Sequence, residues 1–107
     1  MENYIFTISQ GEPFEFTVDL EGMEADSVDV SLYNKVTKQG VTITDITVTN
    51  DTATASFTAQ NTLNVPIGMA TIEVATKTND EITAIFFKDD FSVIRMSNET
   101  IKQSNNS

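Results

Sequence analysis

Phe14, Phe16, Val18 and Leu20 alternate with Glu15, Thr17 and Asp19. The same two-residue beat returns at Val28-Asp29-Val30-Ser31-Leu32, Ala53-Thr54-Ala55-Ser56-Phe57 and Ile72-Glu73-Val74. Successive side chains on a strand point to opposite faces, so each segment predicts a strand with one face in a core and one in water. No stretch of helical length repeats apolar residues at a three-to-four spacing. The pattern therefore predicts an all-β chain with essentially no helix.

Between these segments the breaks are polar or conformationally special. Tyr4 to Ser9 reads as a first, edge-like strand, ended by Gln10-Gly11-Glu12-Pro13, where proline lacks the N–H donor and glycine permits a turn. Phe14 to Leu20 and Ser27 to Tyr33 follow as strands, separated by the acidic loop Glu21 to Asp26. Val41 to Thr49 is β-branched at almost every position except Asp45, which predicts two short pieces joined by a bend or bulge at Thr44-Asp45. Asn50-Asp51 predicts a tight hairpin turn into Thr52 to Ala59, because both residue types tolerate left-handed backbone angles. Gln60 to Gly68 reads as the longest connection, pinned across one end of the core by Leu63, Val65 and Ile67. Met69 to Thr76, Ile82 to Lys88 and Phe91 to Arg95 complete the set, the last two separated by Asp89-Asp90.

Seven to nine short strands with turns every eight to twelve residues predict an antiparallel sandwich or barrel. Its core draws on Phe14, Phe16, Val18, Leu20, Val28, Val30, Leu32, Phe57, Ile72, Val74, Phe91 and Val93. Phe86 and Phe87 are adjacent, so they point to opposite faces, and one of them, with Ile85, must meet something other than the main core. The organisation expected is an N-terminal arm or edge strand over 1–9, a β-sandwich domain over 10–96 and a polar tail over 97–107. With 107 residues, of which 39% are hydrophobic, the chain has material for one core.

The composition removes several function classes. Histidine and cysteine, the commonest general base and a common nucleophile, are absent. Carboxylate pairs remain, but Glu15, Asp19, Asp29 and Glu73 alternate with apolar neighbours as a solvated strand face does, so no enzyme is expected. Sixteen acidic residues against six basic ones give a net charge of −10, which would repel nucleic acid and anionic membrane surfaces. The acidity suits solubility, or docking onto a basic protein surface. Met1-Glu2-Asn3-Tyr4 does not read as a signal peptide, and no apolar run approaches the roughly 20 residues of a membrane span.

Asp19, Glu21, Glu24 and Asp26 crowd one loop and are the best metal candidates, since Ca²⁺ takes oxygen ligands of this type. Their spacing does not match an EF-hand, and acidic turns that keep strand ends soluble are the plainer reading, so no cofactor or metal is expected. The phenylalanines could form a stacking platform for sugars or bases, but their positions fit core faces better.

Gly11-x-Pro13-Phe14-x-Phe16, Ser27-Val28-x-Val30-x-Leu32, the connection Asn61-Thr62-Leu63 to Gly68, Ile72-Glu73-Val74 and Phe91-Ser92-Val93 stand in an order that resembles the small immunoglobulin-like sandwiches in tailed-bacteriophage virions. These include capsid decoration or auxiliary head proteins and N-terminal baseplate modules. The resemblance implies an antiparallel immunoglobulin-like β-sandwich and a structural role in the virion, without catalytic residues. It also implies assembly in the host cytoplasm, with the major capsid protein, other virion subunits or copies of the chain itself as partners. The chain's start at Met1 and its stop just after the last strand favour a head protein over a baseplate module. A calcium- or carbohydrate-binding sandwich of a bacterial surface is the reading from a different class.

The ends supply the expected partner contacts. Tyr4, Ile5, Phe6 and Ile8 put apolar residues on both faces of 1–9, which leaves one apolar face over after pairing on a single sheet. Ser97 to Ser107 has Ile101 as its one strong hydrophobe. Tyr4, Ile5, Phe6, Phe87 and Ile101 are therefore the expected partner-binding residues, by strand addition at the arms.

Overall fold

The computed structural model describes residues 6–95. Seven strands and one short helix follow in the order β1 (Phe6–Ser9), β2 (Phe14–Asp19), β3 (Ser27–Asn34), β4 (Gly40–Thr47), β5 (Thr52–Phe57), α1 (Ala59–Leu63), β6 (Gly68–Thr78) and β7 (Glu81–Ile94). The alternation of the sequence is kept. In β3, Val28, Val30, Leu32 and Asn34 are buried while Ser27, Asp29, Ser31 and Tyr33 reach the surface; in β5, Ala53, Ala55 and Phe57 are buried and their neighbours exposed.

The strands form two sheets, one of five strands in the order β1-β7-β6-β3-β4 and one of two, β2-β5. Pairing is antiparallel except between β1 and β7, which run parallel with Phe6 opposite Phe91. The core lies between the sheets. Val18, Leu20, Ala53, Ala55 and Phe57 from the small sheet meet Val28, Val30, Leu32, Ile72, Val74, Phe91 and Val93 from the large one. Phe14 and Phe16, expected in the core, are half-buried and pack against its margin.

The turns behave as their residues dictate. Asn50 and Asp51 both have positive φ (51° and 62°), as do Asn79 and Asp80 (53° and 65°), which is the backbone that matches the twist of a two-residue hairpin. Thr49 and Thr52 close the first of these turns with reciprocal backbone hydrogen bonds of 2.8 and 3.0 Å.

Several expectations are corrected. Residues 59–63 form a helical turn instead of plain connection. Thr58 caps it by accepting a hydrogen bond from the Asn61 amide at 3.1 Å, while the Asn61 side chain accepts from the Thr58 amide at 2.9 Å. Within this connection Val65 is buried, but Leu63 and Ile67 are 50% and 47% exposed. The inward position of the turn belongs to Thr62, whose hydroxyl accepts from the Gly11 amide at 2.9 Å and donates to the Glu12 and Ala59 carbonyls. β4 is one strand, and the irregularity expected at Thr44-Asp45 is a bulge within it, with Asp45 at φ 56°. β7 is also one strand through Asp89 and Asp90. Ladder partners advance from Ile72–Lys88 to Ala70–Phe91, so three steps on β7 oppose two on β6, and a bulge absorbs the break.

Candidate interaction surface

β2 and β7 lie at one flank of the two sheets. Among the described residues, β2 pairs with β5 alone, and β7 has β6 as its sole neighbour over residues 81–88, because β1 joins it only at 91–94. The two edges face each other across a shallow groove. One part, of about 280 Å³, lies between Phe16 to Asp19 of β2 and Val74 and Phe86 to Lys88 of the large sheet. An adjoining part, of about 260 Å³, runs past Phe14, Phe16, Phe91 and Phe6. Phe91 organises this end: the rings of Phe14 and Phe16 meet it edge-on at 5.9 Å and that of Phe6 lies tilted at 5.6 Å. Such geometry places ring edges against ring faces, the favoured electrostatic arrangement.

Phe86 and Phe87 diverge as adjacent strand residues must. Phe86 packs against the core, and Phe87 is 60% exposed. Ile82 and Ile85 on the same strand are exposed too, and Phe6 is 53% exposed. Of the expected partner-binding residues, the structure brings Phe6 and Phe87 to this flank; Tyr4, Ile5 and Ile101 lie outside the described residues, as do residues 97–107. Phe57 and Phe91 are buried in the core, the place preferred for them over a stacking platform for sugars or bases.

The carboxylates of the acidic loop do not converge. Asp19 accepts a hydrogen bond from the Glu21 amide at 3.1 Å, and Asp26 accepts one from the Asn79 amide at 3.0 Å, so each caps a turn. Among the described residues, no group of three or more acidic side chains is placed to hold a metal ion, and Asp19, Glu21, Glu24 and Asp26 are not brought together as a site.

One charged cluster does form, on the outer face of the large sheet. Lys77 of β6 lies 3.0 Å from Asp29 of β3 and also contacts Asp45 in the β4 bulge, whose amide donates to Asp29 at 2.9 Å. Burial pushes the Asp29 carboxyl upward, but the Asp45 amide and the Lys77 ammonium outweigh it and hold it below its ordinary value. The hydrogen bonds from Lys77 to Asp45 and Asp29 hold the amine above its ordinary value. The cluster ties the β4 bulge to β3 and β6.

Two polar side chains that matter to the architecture were not singled out from the sequence. Thr62 ties the β1–β2 turn to α1. Buried Asn34 donates to the Pro66 and Ile67 carbonyls at 3.2 Å and accepts from the Val36 and Thr37 amides at 2.8 and 3.0 Å, joining the β3–β4 turn to the connection before β6. Asn34 could have been suspected because it ends the alternation of β3 on the inward side. No protein family, curated protein or solved structure matches the chain.

Proposed function

We propose that this chain is a non-enzymatic structural protein of a tailed-phage virion, a capsid decoration or auxiliary head protein that docks on the capsid lattice. The observation that carries the reading is this flank, where exposed Phe6 and Phe87 border an apolar groove between β2 and β7. Exposed apolar surface gathered in one place favours a protein partner over a solvated face. The absence of histidine and cysteine supports a role without catalysis. The charge of −10 supports a protein partner over nucleic acid.

The same proposal assigns an immunoglobulin-like topology. In such sandwiches the second and fifth lettered strands, B and E, share one sheet, while C, F and G share the other, with C′ beside C. β2 and β5 fit B and E, β3, β6 and β7 fit C, F and G, and β4 fits C′, with α1 in the crossover from E to F.

Mass spectrometry and cryo-electron microscopy of purified particles test this reading. Density on the capsid lattice at a copy number stoichiometric with the major capsid protein is expected. Absence from particles overturns it, and presence confined to the tail at low copy number replaces the head role with a baseplate one.

A further inference from the structure

We infer that the outer edge of β4 is a self-pairing surface, on which a second copy of this chain lays the same strand antiparallel about a two-fold axis at Thr42. β4 ends the large sheet on the side away from β7, and among the described residues β3 is its one ladder neighbour. Pairing with β5 begins past the end of β4, at the Thr49–Thr52 bridge.

The ladder with β3 fixes which backbone groups reach that edge. The Asn34 amide donates to the Gln39 carbonyl at 3.0 Å, and hydrogen-bonded and non-bonded pairs alternate from there. Leu32–Val41 and Val30–Ile43 are therefore the bonded pairs, while Gly40 and Thr42, opposite Tyr33 and Ser31, turn their amides and carbonyls outward. The Ser31 and Thr42 hydroxyls, 2.7 Å apart, show the close side-chain approach of a non-bonded pair. Gly40, Thr42 and Thr44 are all exposed. Outward-turned residues set opposite one another exchange two hydrogen bonds. Thr42 against the partner's Thr42 does so on the axis itself, with Gly40 against the partner's Thr44 on either side.

The residues along this edge suit a second copy. Residues 39–44 carry no charge in a chain of −10, and Val41 to Thr44 are all β-branched. Val41 and Ile43, packed at the margin of the core, continue their apolar row onto the partner's Ile43 and Val41. Opposite charges flank the segment: Lys38 lies over the Tyr33 ring at 5.6 Å, and Asp45 contacts Lys77. An antiparallel copy brings its Asp45 toward Lys38 and its Lys38 toward Asp45, whereas a parallel one sets like charges together. The bulge at Asp45, with φ 56°, ends the regular edge, which confines pairing to this short segment and closes the assembly at two.

Sedimentation equilibrium of the full chain tests the pairing at about 0.15 M salt, where repulsion between the acidic copies is screened beyond roughly 8 Å. A monomer–dimer equilibrium is expected. Thr42→Pro deletes the outward amide and spares the bonded pairs with β3, so it should weaken dimerisation about tenfold or more with the circular dichroism unchanged. Thr42→Lys keeps the backbone, opposes two like charges across the axis and should act in the same direction. The chain has no cysteine, so a single introduced one reports proximity. Mild oxidation of Thr42→Cys should give a disulfide-linked dimer, because facing Cα atoms of a bonded pair lie about 5.5 Å apart. Thr54→Cys, exposed on the two-stranded sheet, should stay unlinked.

A chain that is monomeric at every concentration, a dimer indifferent to both Thr42 substitutions, cross-linking through position 54 in preference to 42, or growth beyond two copies would each overturn the assignment. So would a dimer lost when the chain is ended at Arg95, since residues 96–107 would then supply the contact. Association with particles is measured separately, so a monomeric chain that decorates capsids keeps its function and loses this pairing.

Discussion

Thr62→Val offers a nearly isosteric probe of how the two sheets are joined. Thr62 is fully buried, and its hydroxyl partners the Gly11 amide and the Glu12 and Ala59 carbonyls at 2.9–3.0 Å. Valine keeps the volume and removes all three bonds, so the packing contribution nearly cancels. The Gly11 N–H and Glu12 C=O lose the partner that holds the turn from β1 to β2. Leaving two such groups unsatisfied costs about 2–3 kcal/mol at roughly 1–1.5 kcal/mol each. A melting entropy of roughly 2.1 cal/mol/K per residue gives about 0.22 kcal/mol/K for 107 residues, so Tm should fall by about 9–13 °C. Thr62→Ser keeps the hydroxyl and loses one buried methyl, about 0.8 kcal/mol or roughly 4 °C. Scanning calorimetry of the three proteins decides the order, and hydrogen exchange at Gly11 should accelerate in the valine variant. A valine variant that melts within about 2 °C of the parent, or above the serine one, would refute the tethering role.

Four further outcomes are expected. Asn34→Ala removes four hydrogen bonds from a buried amide and should cost about 2–3 kcal/mol in urea unfolding, with Asn34→Asp, which keeps the acceptor, in between. A β-carbon at Gly40 would sit 2.0 Å from the Leu32 carbonyl oxygen and 2.5 Å from the Tyr33 Cα, so Gly40→Ala should lose roughly 3 kcal/mol or more by forcing the β3–β4 pair apart. Asp29 has a lowered folded pKa, so its contribution is complete above about pH 4 and is lost as pH falls through the folded value; Lys77 has a raised one, so its contribution is complete below about pH 10 and is lost as pH rises through the folded value. Melting curves against pH should then show a shallower acid decline for Asp29→Asn and a shallower alkaline decline for Lys77→Met, and profiles parallel to the parent would refute the coupling. Phe87→Ser should change stability by less than about 1 kcal/mol while weakening capsid attachment in a reconstitution assay; a large fall in Tm would return Phe87 to the core.

The part of the fold that was legible in the sequence is the part that depends on near neighbours. Val28, Val30 and Leu32 declare their face because a strand's side-chain period is two, and Asn50-Asp51 declares its turn because few residues accept those backbone angles. The bulge at Asp45 was legible for the same reason. What was not legible depends on residues far along the chain. Asp89-Asp90 reads as a break because aspartate disfavours strands, yet pairing with β6 carries the ladder across it. Leu63 looked like the pin of the long connection, but Thr62 turns inward because its hydroxyl finds Gly11 and Glu12 some fifty positions earlier. The site divides in the same way. The divergence of Phe86 and Phe87 follows from adjacency, whereas the place of β2 and β7 beside the same groove follows from strand order, which periodicity does not encode.

The parallel pairing of β1 with β7 gives the protein a mechanical character. Parallel strands enter and leave at opposite ends, so the chain comes in beside Phe91 at Phe6 and goes out beside Ser9 at Ile94. Tension applied between these two points slides one strand along the other and loads their hydrogen bonds together, with the Gln10 amide bonded to the Ile94 carbonyl at 2.8 Å sharing the strain. The β6–β7 hairpin, pulled from its open end, would surrender its bonds one after another. Stretched from its ends, the sandwich meets force along its most resistant direction, and the rate of unfolding under load is set by rupture of this short pair of terminal strands.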